Sequence, residues 1–204
     1  MRLIIIRHGQ TIENVNNICQ GQAPGILTKK GKEQAYHIAT KLKKENFDII
    51  LSSDLKRAKD TVKEILKVHK KTPVIYTKEL RELKKGIFER KPAKVFDTAR
   101  KKTGKELWQF KPQGGESWKQ AHKRAKEFYA GILKKYHNKK VLIVSHSTFI
   151  GILISAIIGV HFKNAVPFEK HQTHECINEI NVDNNGRGTL RTIHCEEHVK
   201  KLVC

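Results

Sequence analysis

The stretch MRLIIIRHGQT (residues 1–11) begins with a short apolar run of a kind that recurs along the chain. Four apolar residues, Leu3 to Ile6, are enough for a short buried strand. Arg7, His8 and Gly9 follow at once, so two side chains that can carry positive charge stand where the strand ends. The junction is therefore either an ordinary strand end or the centre of a reactive site.

Further short apolar runs alternate with helical patterns along the 204 residues. This alternation predicts an α/β fold with a largely parallel sheet, and the length fits one domain or one domain with a modest insertion. The last two runs flank the turn sequence DNNGRG, which predicts an antiparallel hairpin. The candidate strands are Leu3–Ile6, Ile49–Leu51, Pro73–Tyr76, Val141–Ser145, Ile177–Val182 and Thr189–His194.

Helix starts are marked by residues that can cap an N-terminus, namely Thr28, Asp54 and Ser117. Ser117 is followed three residues later by a glutamine, as in a capping box. The apolar spacing predicts that the first helix runs to about Glu45 and the second to about Lys70. These stripes are expected to pack in the core.

The regular pattern stops between Leu83 and Gly115. From Lys84 to Lys105 we count nine lysine or arginine residues against two acids. An insertion over the strand ends of an α/β core commonly forms a lid or a recognition element. Residues 84–115 are therefore predicted to form a small cap.

The net charge of +21 predicts a surface that attracts anions, such as nucleic acid, anionic lipid or phosphorylated metabolites. A lysine-rich solvated surface explains the charge as well. The apolar run Phe149–Val160 is shorter than the ~20 residues of a membrane span and predicts a buried helix. No secretory signal is expected. The cysteines show no CxxC pair and predict no disulfide framework, which favours a reducing, cytoplasmic setting: Cys19, Cys176, Cys195 and Cys204.

Side chains that could bind a ligand or take part in catalysis follow several of the predicted strands. Because ligands of α/β sheets bind outside the carboxyl ends of the strands, these side chains are expected to meet at one rim. Each of them alone has an ordinary structural explanation, so only their convergence predicts a site. They are Arg7 and His8 after the first strand, Arg57 in the next helix, Arg81 and Glu82 after the third strand, and His146 after the fourth.

Two histidines and two arginines suit a phosphoryl group. Arginine offers a fixed fork of donors to its oxygens, one neutral histidine can attack phosphorus, and the other can donate to the charged transition state. A carboxyl group can protonate the departing alkoxide and then activate water. The segments HQTHEC (171–176) and HCEEH (194–198) contain metal-ligand residue types, but their spacing is weak, so no metal is expected.

Several blocks resemble motifs of the histidine phosphatase superfamily, in its phosphoglycerate mutase-like branch. Together they span residues 2 to about 160, and the remainder matches only by general pattern. The blocks are RHGQTIEN (7–14), CQGQAPGILTKKGKEQA (19–35), SSDLKRAKDT (52–61), LRELKKGIFE (80–89), GGES (114–117) and VSHS (144–147).

The resemblance implies a three-layer sandwich, with helices on both faces of a mostly parallel sheet, a variable cap and no metal or other cofactor. It implies one histidine phosphatase domain over residues 1–204. By resemblance His8 is the phosphorylated nucleophile and Glu82 the acid/base. The implied phosphate pocket consists of Arg7, Arg57 and His146, and the implied substrate contacts add Asn14, Gln20, Gly21 and Ser147.

Two positions depart from the family pattern. QAPGILT (22–28) lacks the acidic residue that usually precedes this turn, and Arg90 stands where glycine commonly follows the Phe-Glu pair. Both departures fall in substrate-facing or cap regions, so they concern specificity more than chemistry.

The leading hypothesis is a metal-independent phosphomonoesterase that acts on a small anionic phosphorylated metabolite. The alternatives are a phosphoglycerate mutase and a basic binding module on an inactive core. Only about thirty residues separate Glu82 from Gly114, which favours a phosphatase over the mutases and their longer insertion. A small phosphorylated substrate is favoured over nucleic acid as partner, no membrane is expected, and monomer and homodimer both stay open.

Overall fold

Six strands form one mixed sheet within the part of the chain that the computed structural model describes, residues 1–170 and 172–194. The strand order is β3-β2-β4-β1-β5-β6. The first four strands are parallel to one another, whereas the last two are antiparallel and form the predicted hairpin. The strands are β1 (Arg2–Arg7), β2 (Ile49–Ser53), β3 (Val74–Thr77), β4 (Lys140–Ser145), β5 (Ile177–Val182) and β6 (Gly188–His194).

Helices pack on both faces of this sheet. Thr28 and Ser117 cap α2 and α5 as predicted, and Ser117 forms a capping box with Gln120. The longest apolar run becomes α6, which is buried along its length. The α-helices are α1 (Ile12–Val15), α2 (Lys29–Lys41), α3 (Lys56–Ile65), α4 (Ala93–Lys102), α5 (Trp118–Lys135), α6 (Ser147–Ile157) and α7 (Val166–Lys170). None of the helices in the described ranges is long and apolar enough to cross a bilayer.

The core has two halves because successive strand residues face opposite sides of the sheet. Leu3 and Ile5 of β1 belong to the half that packs against α5 and α6. Ile4 and Ile6 belong to the half that packs against α2 and α3. The predicted three-layer sandwich is therefore confirmed.

The cap segment, residues 84–115, contains α4 and a small aromatic cluster. Phe88, Phe96 and Phe110 lie with ring centroids 5.4 to 6.2 Å apart. The cap segment joins the loop before α2 through the backbone of Cys19, which donates to Lys91 O and accepts from Arg90 N, each at 2.8 Å. The cap is thus tied to a loop that also reaches the strand ends.

Three expectations about local structure are wrong. Asp54 does not cap α3: the N-cap is Leu55, without a side-chain cap bond, because the Asp54 carboxylate accepts two hydrogen bonds from Arg81 at 2.6 Å. Helix α2 stops at Lys41, and Glu45 instead accepts hydrogen bonds from Arg2. Helix α3 stops at Ile65, five residues before the predicted end at Lys70.

The cysteines also differ from expectation. Cys19 is a free thiol, but Cys176 is disulfide-bonded. The spacing of the cysteines did not predict this bond. The reducing, cytoplasmic setting inferred from the cysteines stays a prediction.

Candidate active site

Strands β1 and β4 end side by side, which brings two histidines together. Arg7 pairs with Ser145 in the parallel register, and the His8 backbone N–H donates to Ser145 O at 3.0 Å. The next residue along β4 is His146, and the centroids of the two imidazole rings are 5.1 Å apart. Both rings are buried, with 2% exposure at His8 and none at His146.

Two hydrogen bonds assign the tautomer of His8. Its Nδ1 lies 2.8 Å from Gly9 O, and a carbonyl oxygen only accepts, so Nδ1 carries the proton. Its Nε2 accepts from Arg57 Nε at 3.2 Å, so this nitrogen has the lone pair. Burial lowers the pKa of His8 well below its usual value, and the charge of Arg57 lowers it further. The ring is a neutral base that can act as a nucleophile at Nε2.

Arg57 reaches from the first turn of α3 into the centre of the site. Its Nε also donates to His146 Nδ1 at 3.1 Å, while its two terminal nitrogens donate to Ala23 O at 2.9 Å and Gly21 O at 2.7 Å. The side chain is 1% exposed, and burial lowers its pKa to about 10, so the guanidinium stays charged at neutral pH. Arg57 therefore supplies a fixed cation between the two histidines.

His146 is held between Arg57 and a serine. Its Nε2 lies 2.8 Å from Ser53 Oγ at the end of β2, and its Nδ1 accepts from Arg57. Burial lowers the pKa of His146 well below its usual value, with a further decrease from the Arg57 charge. In this arrangement the nitrogen facing Arg57 is an acceptor, so the predicted donation by His146 to a phosphoryl oxygen stays a prediction.

Glu82 lies at the N-terminus of α6. Its carboxylate accepts backbone hydrogen bonds from Thr148 at 3.2 Å and Phe149 at 3.1 Å, and from Leu83 at 2.9 Å. A carboxylate suits the positive end of a helix dipole. The preceding residues are fixed by Ser145, whose hydroxyl donates to Leu80 O at 2.8 Å. Glu82 is thus held on the same rim as the histidines.

Arg7 completes the group. One terminal nitrogen donates to Gln172 O at 2.6 Å, and its Nε is buried without a partner among the described residues. Burial lowers the pKa of Arg7, and the Glu82 charge opposes that shift. A buried guanidinium N–H that lacks a protein acceptor is suited to an anionic ligand.

Gly9 permits two backbone segments to approach each other closely. A Cβ atom there would lie 2.1 Å from Gly31 O, and one on Gly31 would lie 2.0 Å from Gln10 O. The end of β1 therefore packs directly against the start of α2. The Gly9 N–H donates to Thr61 Oγ1 at 3.0 Å, which fixes the turn after His8.

The four residues implied as substrate contacts differ in what they contact. Asn14 closes a capping box with Thr11, where its Oδ1 accepts from the Thr11 backbone N–H. Gln20 is buried, and its Oε1 has no hydrogen-bond partner in the described structure. Gly21 adopts φ +53 and accepts from Arg57, and Ser147 begins α6. Gly21 therefore contacts the site through Arg57, whereas Asn14 stabilises α1, and contact of these residues with substrate stays a prediction.

Sequence reasoning missed His174, whose ring centroid lies 5.6 Å from that of His8. It also missed Ser53 and Thr61, which hold His146 and Gly9. The HQTHEC pattern drew attention to His174 only as a weak zinc ligand, because its partner in space is 166 residues away. His171, Cys195 and His198 of the two zinc patterns lie outside the described residues. The described residues contain no group of three metal-ligand side chains placed to hold an ion.

A neutral buried histidine with its lone pair toward a fixed arginine, beside a second histidine and on the same rim as a carboxylate, is suited to phosphoryl transfer. The family model of the histidine phosphatase superfamily (branch 1) matches residues 3–194, and the chain belongs to this superfamily. The expectation of a phosphatase enzyme is confirmed.

Relatives and solved structures agree with this assignment. The adenosylcobalamin/alpha-ribazole phosphatase of Escherichia coli (strain K12) is 31% identical over 198 residues, 95% of this chain and 96% of the relative. A protein of Erwinia tasmaniensis named "Probable phosphoglycerate mutase GpmB" is 29% identical over 164 residues, 78% of this chain and 76% of that protein. The crystal structure of the alpha-ribazole phosphatase from Shigella flexneri superposes with a TM-score of 0.83 at 31% identity, covering 95% of this chain and 96% of that one.

Proposed function

We propose that the protein is a metal-independent phosphomonoesterase that hydrolyses a small anionic phosphorylated metabolite through a phosphohistidine intermediate on His8. The observation that carries this proposal is the Nε2 lone pair of His8, which lies in a buried site beside two arginines. A buried cation strengthens the attraction for a phosphoryl group because water does not screen it there.

The first step transfers the phosphoryl group to the protein. The His8 Nε2 lone pair forms a bond to phosphorus as the ester P–O bond breaks. Glu82, as the proposed general acid, gives a proton to the departing alkoxide, which leaves as an alcohol. Arg7 and Arg57 hold the phosphoryl oxygens, and the Nδ1–H bond to Gly9 O supports the positive charge that develops on the imidazole.

The second step returns the histidine to its starting state. A water molecule attacks phosphorus while the Glu82 carboxylate takes one of its protons. The P–N bond breaks, its electron pair returns to His8 Nε2, and inorganic phosphate leaves. Glu82 regains the proton it lost, so the cycle balances with one water consumed.

Lys85 supports an anionic substrate. It follows Glu82 by three residues, and its ammonium lies 4.5 Å from the centroid of the Phe96 ring, with no ion pair to a described residue. The pKa of Glu169 is raised by burial and then by the Glu82 charge, and the Lys85 charge opposes this rise. Lys85 therefore places positive charge near the Glu169 carboxylate.

This role of Lys85 predicts a selective effect of Lys85→Met. We expect KM to rise about tenfold for phosphoserine, which carries a carboxylate, and to change less than about twofold for phosphoethanolamine, which lacks it. Lys84→Met is the matched control because Lys84 is the exposed neighbour. Equal effects of Lys85→Met on both substrates would contradict the role.

Phosphoglycerate mutase activity is the second candidate, and the similarity to the mutase-named relative favours it. A mutase uses the same phosphohistidine and gives the phosphoryl group to a substrate hydroxyl instead of water. Product analysis with 3-phosphoglycerate separates the two: free phosphate indicates hydrolysis, and 2-phosphoglycerate indicates mutase activity.

The test of the proposed function is a phosphatase assay over a panel of phosphate monoesters in excess chelator. We expect turnover to persist in chelator and to vanish in His8→Ala. His137→Ala is the control, because His137 is exposed in the turn before β4, at the opposite end of that strand from the site. Loss of turnover in chelator, or a fully active His8→Ala enzyme, would contradict the proposed mechanism.

A further inference from the structure

We propose that the segment Gln172–His174, called the strap here, is a positioning element that sets the orientation of Arg7 and His8. This inference rests on the proposed function, because it concerns the groups that bind and receive the phosphoryl group. The strap lies beyond the sequence blocks that carry the family resemblance. Gln172 of the strap contacts the Arg7 side chain, and His174 contacts the His8 backbone.

The first contact fixes Arg7. The guanidinium donates to the backbone carbonyl of Gln172 at 2.6 Å, while Arg7 Nε is buried without a partner among the described residues. A guanidinium is planar, so a bond at one terminal nitrogen sets the direction of the other N–H groups. The position of Gln172 O therefore decides where Arg7 points.

The second contact fixes the backbone of the nucleophile. His174 Nδ1 donates to His8 O at 2.8 Å, and the two rings are tilted by 54° with centroids 5.6 Å apart. His8 thus has a backbone bond from β4 at its N–H and a side-chain bond from the strap at its carbonyl. These two bonds hold the peptide groups on either side of the His8 Cα, so they restrict the backbone rotation of His8.

A pair of buried amides anchors the strap to the sheet. Gln172 and Asn178 exchange two hydrogen bonds, at 3.0 and 2.9 Å. The remaining amide hydrogens reach Phe168 O at 3.0 Å and Ile5 O at 2.9 Å. Gln172 is 2% exposed and Asn178 is fully buried, and Asn178 lies opposite Ile5 in the β1–β5 register. The strap is therefore tied to the strand that carries Arg7 and His8.

Orientation, more than burial, explains this amide pair. Two apolar side chains of the same size would fill the space without the cost of burying polar groups. They would lack the directional bonds that hold Gln172 O in front of Arg7. A buried polar pair that satisfies all its donors restricts a structure to one arrangement.

The test separates orientation from stability with a double-mutant cycle of Gln172→Leu and Asn178→Leu. Each single variant leaves a buried amide without its partner and loses both stability and activity. The double variant removes both amides, so its melting temperature should recover most of the loss. We expect its affinity for inorganic phosphate and its rate of phosphohistidine formation to stay about tenfold or more below the parent.

A double variant that recovers phosphate affinity and rate together with melting temperature would overturn the inference, since the amides would then serve stability alone. Phosphate affinity depends on the direction of Arg7 and needs no covalent step. If the parent forms no phosphohistidine, the proposed function fails, while the phosphate affinities of the variants still decide the role of the strap.

The His174 bond is tested by conservative rescue. In His174→Asn the side-chain amide can donate from about the position of Nδ1, whereas His174→Ala removes the donor. We expect His174→Ala to lower the rate of phosphohistidine formation about tenfold and His174→Asn to restore most of it. Glu175→Gln is the control, because its carboxylate lies near His37, 3.7 Å away, instead of His8. Equal losses in His174→Asn and His174→Ala would contradict a role for this donor.

Discussion

The pocket floor and the cap segment differ in almost every physical respect. The floor consists of His8, Arg57 and His146, which are at most 2% exposed and hydrogen-bonded to one another. In the cap helix α4 only Phe96 is buried, and the helix is rich in exposed lysine. The proposed chemistry therefore belongs to the packed core, whereas the cap segment presents exposed positive charge. Changes to the floor should affect catalysis or folding, and changes to the cap should affect substrate choice or little at all.

The largest effect is expected from Arg57→Lys. A lysine has one ammonium and cannot reach both histidines and the carbonyls of Gly21 and Ala23. We expect kcat to fall about 10²- to 10³-fold, since a preorganised charge is lost. Steady-state kinetics on the best substrate of the panel measures this. Activity within threefold of the parent would show that the cation alone suffices.

Gly9→Ala should disrupt the floor through the backbone. The new Cβ would lie 2.1 Å from Gly31 O, and both groups belong to main chain that cannot move aside cheaply. We expect a loss of about 3 kcal/mol or more in the free energy of unfolding, as for other severe overpacking. Gly131→Ala in α5, where nothing lies within 4 Å, is the matched control and should stabilise by about 0.5–1 kcal/mol. Denaturant unfolding of both variants measures the contrast.

Acid should lower the free energy of unfolding through the buried histidines at and beside the floor. The cap segment contains no histidine and should not contribute to this effect. Burial, followed by the Arg7 charge, lowers the pKa of His174 to about 4 from 6.5. As the pH falls, the unfolded chain therefore binds this proton before the folded chain does. The contribution of neutral His174 to folding stability is complete above pH ~6.5 and is lost progressively as the pH falls to ~4. Between pH 7.5 and pH 5, we expect the free energy of unfolding of His174→Asn to fall by about 2 kcal/mol less than that of the parent.

Urea titrations at the two pH values measure this difference. His8 and His146 act in the same direction in both proteins, since their pKa values are also lowered by burial. His69 and His122, outside the site, contribute likewise. An unchanged acid sensitivity in His174→Asn would contradict the assignment.

The smallest effect is expected at the cap, from Arg90→Gly. Arg90 adopts φ +68, in the left-handed region that favours glycine. Removing the strain of this conformation should add about 1–2 kcal/mol to the free energy of unfolding. The greater freedom of glycine in the unfolded chain subtracts about 0.5–1 kcal/mol from that gain. We expect a rise of a few degrees in melting temperature with kcat unchanged. A lower melting temperature would show that the Arg90 side chain contributes contacts of its own.

The sequence was most informative where local pattern and function coincide. The apolar runs predicted all six strands, and the polar residues that follow them predicted His8, Arg57, Glu82 and His146 at one rim. The helix cap at Asp54 was wrong because Arg81, distant in sequence, binds its carboxylate.

Other features were beyond prediction for a related reason. His174 reaches His8 across 166 residues, and the amide pair of the strap joins a loop to a strand. No periodicity or spacing encodes contacts of that kind. The left-handed Arg90 was noted only as a departure from a motif, because the backbone conformation that disfavours arginine appears only in the fold.

The central claim is that His8 receives the phosphoryl group. Rapid acid-free quenching of the enzyme with a turned-over phosphate ester, followed by peptide mass spectrometry, identifies the modified residue. We expect one phosphoryl group on the peptide containing His8, stable in base, labile in acid, and absent in His8→Ala. A phosphoryl group on another residue, or turnover by His8→Ala at the parent rate, would contradict it.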